Sequence, residues 1–229
     1  MPAGFFTDKS GKVRPLSGKK KKKGNSGVVV AASVLALGLV GYGGGGALVG
    51  SGGGGGAGAG SSRAADLRTR KAEGQRSARE GDPVGAWRRM GMRRLRQEVR
   101  TQAECLSASH GRVREFLART PCASLDRAIL TVGDDAGNSA VVSIAWVGFR
   151  RAGDVRDFKA VIDVHGSGDV RPLGSSLLGL ADIAFTGQNY GSDVTGTSLT
   201  VAEAETATGV LDHDTLDALA EVAAHLPRP

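Results

Sequence analysis

Twenty-four consecutive uncharged residues, Gly27 to Gly50 (GVVVAASVLALGLVGYGGGGALVG), follow a run of five lysines, Lys19 to Lys23. As a helix the stretch would span about 36 Å at ~1.5 Å per residue, enough to cross a hydrocarbon core of about 30 Å. Its composition pulls the other way. Only Val28 to Val40 is densely apolar, which is the length of a signal-peptide core, and each glycine of Gly43 to Gly46 costs a helix on the order of 1 kcal/mol relative to alanine. In lipid, however, an unwound backbone has no water to bond to, and this favours the helix. No compact A-x-A site closely follows Val40, since Ala57-Gly58-Ala59 lies well downstream, and there is no lipobox cysteine. A Gly-rich linker in a cytosolic protein would leave VVVAASVLALGLV exposed and prone to aggregate. The expectation is therefore one transmembrane helix or signal anchor over 27–50, with a cleaved signal as the alternative. Cations cluster before the span, so the positive-inside rule places the basic tail, 1–26, in the cytoplasm and the C-terminal domain outside.

The net charge of +7 hides an asymmetry. Residues 63–100 carry 12 Lys/Arg against 5 Asp/Glu, whereas residues 101–229 carry 10 against 17, a net −7. A basic connector thus precedes an acidic domain, a distribution unlike that of a uniform nucleic-acid binder. Residues 51–84 read as a Gly/Ser- and then Arg-rich linker. Residues 85–104 read as a basic helix, because Met92, Leu95, Val99, Ala103 and Leu106 recur at three- and four-residue spacings. Its arginines, Arg88, Arg89, Arg93, Arg96 and Arg100, are expected to meet a membrane surface, either anionic lipid or a cell-wall polymer. The plainer alternative is a solvated helix packing its apolar stripe on the domain.

From residue 105 the pattern is that of a compact α+β domain. VREFLART forms a helix stopped at Thr120-Pro121. RAILTV and SAVVSIAWVGF flank the turn GDDAGN and read as a hairpin. A helix from Gly153-Asp154 buries Val155, Phe158, Val161 and Ile162 and stops at Gly166. A second hairpin is expected from DIAFTGQNY, the turn GSDVTG and SLTVAEAET. Asp212 or Asp214 caps a last helix with Leu216, Leu219, Ala223 and Leu226 inward. Two helix-hairpin units point to an antiparallel four-stranded sheet with helices packed on one face.

Cys105 and Cys122 are the only cysteines and bracket VREFLART. Bridged, they close a loop of about 18 residues, worth roughly 3 kcal/mol, and such a bond persists outside the cytoplasm. Two buried thiols are the alternative. Chemistry is sparse elsewhere. His110, His165, His213 and His225 are scattered, and Asp212-His213-Asp214 reads as a helix start rather than a metal site. Neither a phosphate loop nor G-x-S-x-G occurs. Asp134-Asp135 reads as a turn, and Asp154/Asp157 as acids at a helix N-terminus. No catalytic residue, cofactor or metal is expected, and the chain does not read as an enzyme.

Through VREFLARTPCASLDRA, VVSIAWVGF and FTGQNY the chain resembles uncharacterised single-pass membrane proteins of high-GC actinobacteria. Those proteins combine a lysine-rich start, one apolar span and a small cysteine-paired domain. The resemblance implies the same placement and supports the disulfide, and it transfers no functional residue. Together these readings give a membrane-anchored extracytoplasmic interaction module, with a possible protein partner and no nucleic acid. An anchored or secreted envelope enzyme, or a soluble nucleic-acid binder, is the alternative.

Overall fold

The computed structural model describes residues 5–7, 13–15, 57–102 and 104–229. Of the basic tail expected over 1–26 only a short antiparallel pair, 5–7 with 13–15, is described; the apolar span expected over 27–50 and the tether up to residue 56 lie outside the described residues. Among the described residues no helix is long and apolar enough to cross a membrane.

Two helices lead in, α1 (Ala57–Arg79) and α2 (Pro83–Arg89). Asp82 caps α2 by accepting from the Gly85 N–H at 2.7 Å, and Pro83 occupies the first turn, where its missing N–H costs nothing. The strand β1 (Arg93–Gln102) follows, then α3 (Gly111–Arg119), β2 (Ser124–Gly133), β3 (Ser139–Gly148) and α4 (Ala152–Ile162). A 3-10 turn, Ser175–Leu178, precedes β4 (Tyr190–Thr195), β5 (Ser198–Thr208) and α5 (His213–Ala223). The five strands form one antiparallel sheet in the order β1-β2-β3-β5-β4, so β1 and β4 are its edges.

Several expected elements form where the sequence placed them. The first hairpin runs through a turn in which the Asp134 carboxylate accepts from the N–H groups of Ala136 and Asn138, both at 2.9 Å. The side-chain amide of Asn138, followed by these backbone donors, holds Asp134 below the usual carboxylate range. Asp212 rather than Asp214 caps α5, accepting from the Thr215 N–H at 2.7 Å.

Four expectations are corrected. The sheet has five strands and not four, because residues 93–102 extend as β1 instead of continuing a basic helix through 104. Gly91, at φ +72°, turns the chain after α2, and Leu95 and Val99 fit a period of two as well as a period of four. Secondly, helices cover both faces. Ala128, Leu130, Val132, Val142 and Ile144 pack under α1, α2 and α5 with Trp87, Leu219 and Val222. Leu125, Val147, Leu199 and Val201 pack under α3 and α4 with Val113, Leu117, Val155 and Phe158. Ile129 and Val141 complete that second face beneath Leu173 and Leu178. Every residue of β3 is buried, as befits a strand covered on both sides, so its apolar run need not alternate. Thirdly, the second hairpin turns at Gly196-Thr197, with Gly196 at φ +60°, so Gly191 to Thr195 belong to a strand rather than to a turn. Asp182 to Gln188 run as loop, which lays Ile183 and Phe185 over the second face.

Helix α1 also lies where a linker was expected. Its few apolar contacts come from Leu67 and Ala78, against the core that includes α5, and Lys71 reaches Glu221 at 2.6 Å. Little apolar area suffices here because the partner surface is already formed and α1 only has to dock on it.

Candidate functional site

The edge strand β1 is exposed along most of its length. Arg93, Arg94, Leu95, Arg96, Glu98, Val99, Arg100 and Thr101 are all exposed, and Gln97 is half-buried. Its pairing with β2 slips between Arg94 and Arg96, where Leu95 is the extra residue of a β-bulge. The bulge has a chemical result. Arg93 stands opposite Gly133, Arg96 opposite Thr131 and Arg100 opposite Arg127, alternate positions of β2 that share one face. In an unbroken strand Arg93 and Arg96, three residues apart, would point to opposite faces. The bulge aligns all three guanidinium groups in one row.

Arg127 joins the row from β2, so two arginines face each other directly across the strands. Like charges so placed repel. Burial lowers the affinity of Arg127 for its proton, and the buried Nε of that side chain has no partner among the described residues. Its Nη1 donates to the Arg171 carbonyl at 2.6 Å, while Arg171 reaches the Ser107 carbonyl at 3.3 Å. Arg96 donates to the Leu178 carbonyl at 2.5 Å. Between β1 and the 3-10 turn lies an open groove of about 400 Å³, lined by Arg96, Gln97, Glu98, Leu177, Leu178 and Gly179. Glu98 is the only acid on the strand. The arrangement suits an extended anionic ligand.

Of the five arginines expected to share one helical surface, only Arg93, Arg96 and Arg100 are brought together. Arg88 and Arg89 end α2, in the layer over the opposite face of the sheet, and Arg89 pairs with Glu73 of α1 at 3.4 Å. Cys105 and Cys122 are bridged, with Cα atoms 6.2 Å apart. The bridge joins the chain just after β1 to the chain just before β2, and so fastens one end of the exposed edge.

A second polar cluster gathers beside the opposite edge. Asp163, just past α4, accepts from Tyr190 Oη and Ser192 Oγ, each at 2.9 Å, and from Lys159 Nζ at 2.5 Å. Lys159 also donates to Ser192. Next to this group, Asp169 shares a hydrogen bond with Glu203 of β5. Burial first, then that bond and the Glu203 charge, hold Asp169 well above the usual carboxylate range, against a smaller pull from the Val170 N–H. Burial and the charges of Asp163 and Asp169 likewise push the Tyr190 phenol well up.

Chemically this cluster is a fastening. An ammonium held by Asp163 has no lone pair with which to take a proton from Ser192. Glu203 is only 7% exposed, and its Oε2 accepts from the Gly187 N–H at 2.8 Å. Among the described residues no group of three His, Cys, Asp or Glu could hold a metal ion. The sequence offered no signal for this cluster: Asp163 and Asp169 are near each other but far from Tyr190 and Glu203, and the four stand at no motif spacing. Arg127 and Arg171 were missed for the same reason.

Comparison of the chain with protein-family models, with curated proteins and with solved structures gave no match.

Proposed function

We propose that the chain is a membrane-anchored extracytoplasmic interaction module whose ligand is anionic and docks along β1. The observation that supports this reading is the row of Arg93, Arg96 and Arg100, aligned by the bulge on an exposed strand and crowded by Arg127. Four cations near one another with a single acid among them repel, and a multivalent anion relieves that repulsion while it binds. The acidic remainder of the domain directs such a ligand to this edge and away from the rest of the surface. Anchoring rests on the uncharged stretch 27–50 and its preceding lysines, and the outside location on the same cation bias together with the disulfide.

The test uses the full chain in discs of neutral lipid, titrated with polyglutamate, polyphosphate and an uncharged polymer. Both polyanions should bind, with affinity falling steeply as salt rises, and the triple variant R93Q/R96Q/R100Q should lose most of that binding. Equal affinity of the triple variant and the native chain, or no binding to either polyanion, overturns the proposal. Protease added to intact protoplasts checks the placement. Residues 63–229 should be degraded, and their full protection overturns the topology.

A further inference from the structure

We infer that β1 receives an acidic, extended segment of a partner protein as a sixth strand of the sheet. The inference deepens the reading of β1 as an anion-binding edge and rests on it. An edge strand presents a row of backbone N–H and C=O groups with no partner strand, and proteins normally shorten, cover or charge such an edge. Here the edge is ten residues long and solvent-exposed, and seven of them, Arg96 to Gln102, pair with β2 in unbroken register. A straight register on the inner side makes a regular template on the outer side.

Charge selects the occupant. Arg93, Arg94, Arg96 and Arg100 against Glu98 give the strand a net +3. A second copy paired edge to edge would therefore bring two strands of net +3 together, and like charges across a strand pair are unfavourable. An acidic strand has the opposite balance. Its side chains on one face would meet Arg93, Arg96 and Arg100, with Glu98 as the one acid in that row, and at the groove also Leu177, which is 42% exposed. Those on the other face would meet Val99, 36% exposed, together with Arg94, Gln97 and Thr101, so alternating Glu or Asp with threonine or valine fits both faces. The strand supplies backbone pairing, which a lipid headgroup or a polyphosphate cannot.

The experiment keeps the full chain in neutral lipid discs and uses a ten-residue peptide alternating glutamate with valine or threonine. Two further versions carry N-methyl groups on alternate amides, one series along each edge of the extended peptide. Strand addition requires one edge only. One methylated version should bind at least tenfold more weakly than the parent and the other within about threefold, and Arg96→Glu should weaken the parent about tenfold. If both methylated versions bind like the parent, contact is ionic alone and the inference fails while the anion-binding module stands. If polyphosphate or anionic vesicles bind and the peptide does not, the inference fails in the same way. If the native chain sediments as a dimer that R96E dissociates, the occupant is a second copy. No binding of any anion defeats the module itself.

Discussion

The two edges of this sheet are finished in opposite ways. β4 is six residues long and lies under α5: a Cβ at Gly191 would come within 2.5 Å of the Ala220 carbonyl oxygen. Its side chains Tyr190 and Ser192 are tied to Asp163, and the Asp193 carboxylate lies 3.0 Å from His225 Nδ1. Arg79 of α1 donates to the other nitrogen of that histidine at 2.9 Å, so the first helix also guards this edge. β1 is ten residues long, is exposed along most of its length and carries four arginines. A protein that only needed to avoid aggregation could have closed both edges as it closed β4. The difference teaches that closure was within reach of this fold and was applied to one side, while the other is guarded by charge and a bulge alone and stays open to a strand of opposite charge.

The largest expected effect comes from the bridge that fastens the open edge. Replacing both Cys105 and Cys122 by serine should cost roughly 3 kcal/mol, as expected for a loop of this size. Hydrogen exchange should then quicken at β1 amides more than at β4 amides. Equal loss of protection at the two edges would show that the bridge supports the domain generally and not the exposed strand.

Gly191→Ala attacks the closed edge instead. The added methyl has no room beside Ala220 and Glu221, so about 2 kcal/mol of stability should be lost, with exchange quickening in β4 and α5. A neutral result in chemical denaturation would mean that α5 does not sit as tightly on β4 as the structure shows.

A smaller effect, dependent on pH, reports on the fastening beside β4. Asp169 binds its proton more tightly when folded than when unfolded. The stability it contributes is thus complete below the ordinary carboxylate pKa and is lost as pH rises through its raised folded value. Asp169→Asn keeps a neutral partner for Glu203 and should be about 1 kcal/mol more stable than the native chain at alkaline pH. Its stability should also fall less between acidic and alkaline pH. An unchanged pH profile would mean that Asp169 does not hold its proton more tightly in the folded chain.

Smallest is the cost of losing an arginine from the open edge. Arg93→Gln or Arg100→Gln should change stability by no more than about 0.5 kcal/mol, since both are exposed. Each should nonetheless reduce the salt dependence of polyglutamate binding. A loss of several kcal/mol would mean that these side chains hold the fold together and are not reserved for a ligand.

Local signals were enough for much of the domain. The turn at Asp134 to Asn138, the cap at Asp212, the stripe of Val155, Phe158 and Ile162, and the bridge between the only two cysteines all depend on residues close in sequence or on simple pairing. The order helix, hairpin, helix, hairpin, helix over 105–229 follows from them. What sequence could not decide was where a segment with two readings would go. RRLRQEVRT fits a helix by its three- and four-residue spacing and a strand by alternation. The free edge of β2 settled the matter, because pairing there satisfies a row of backbone groups that a helix would have left open. The bulge at Leu95 is likewise a property of the pairing, and it alone makes one row of Arg93, Arg96 and Arg100. Covering both faces of the sheet, bringing Asp169 to Glu203 and leaving one edge open required elements more than thirty residues apart to meet, and no local propensity encodes which surfaces those will be.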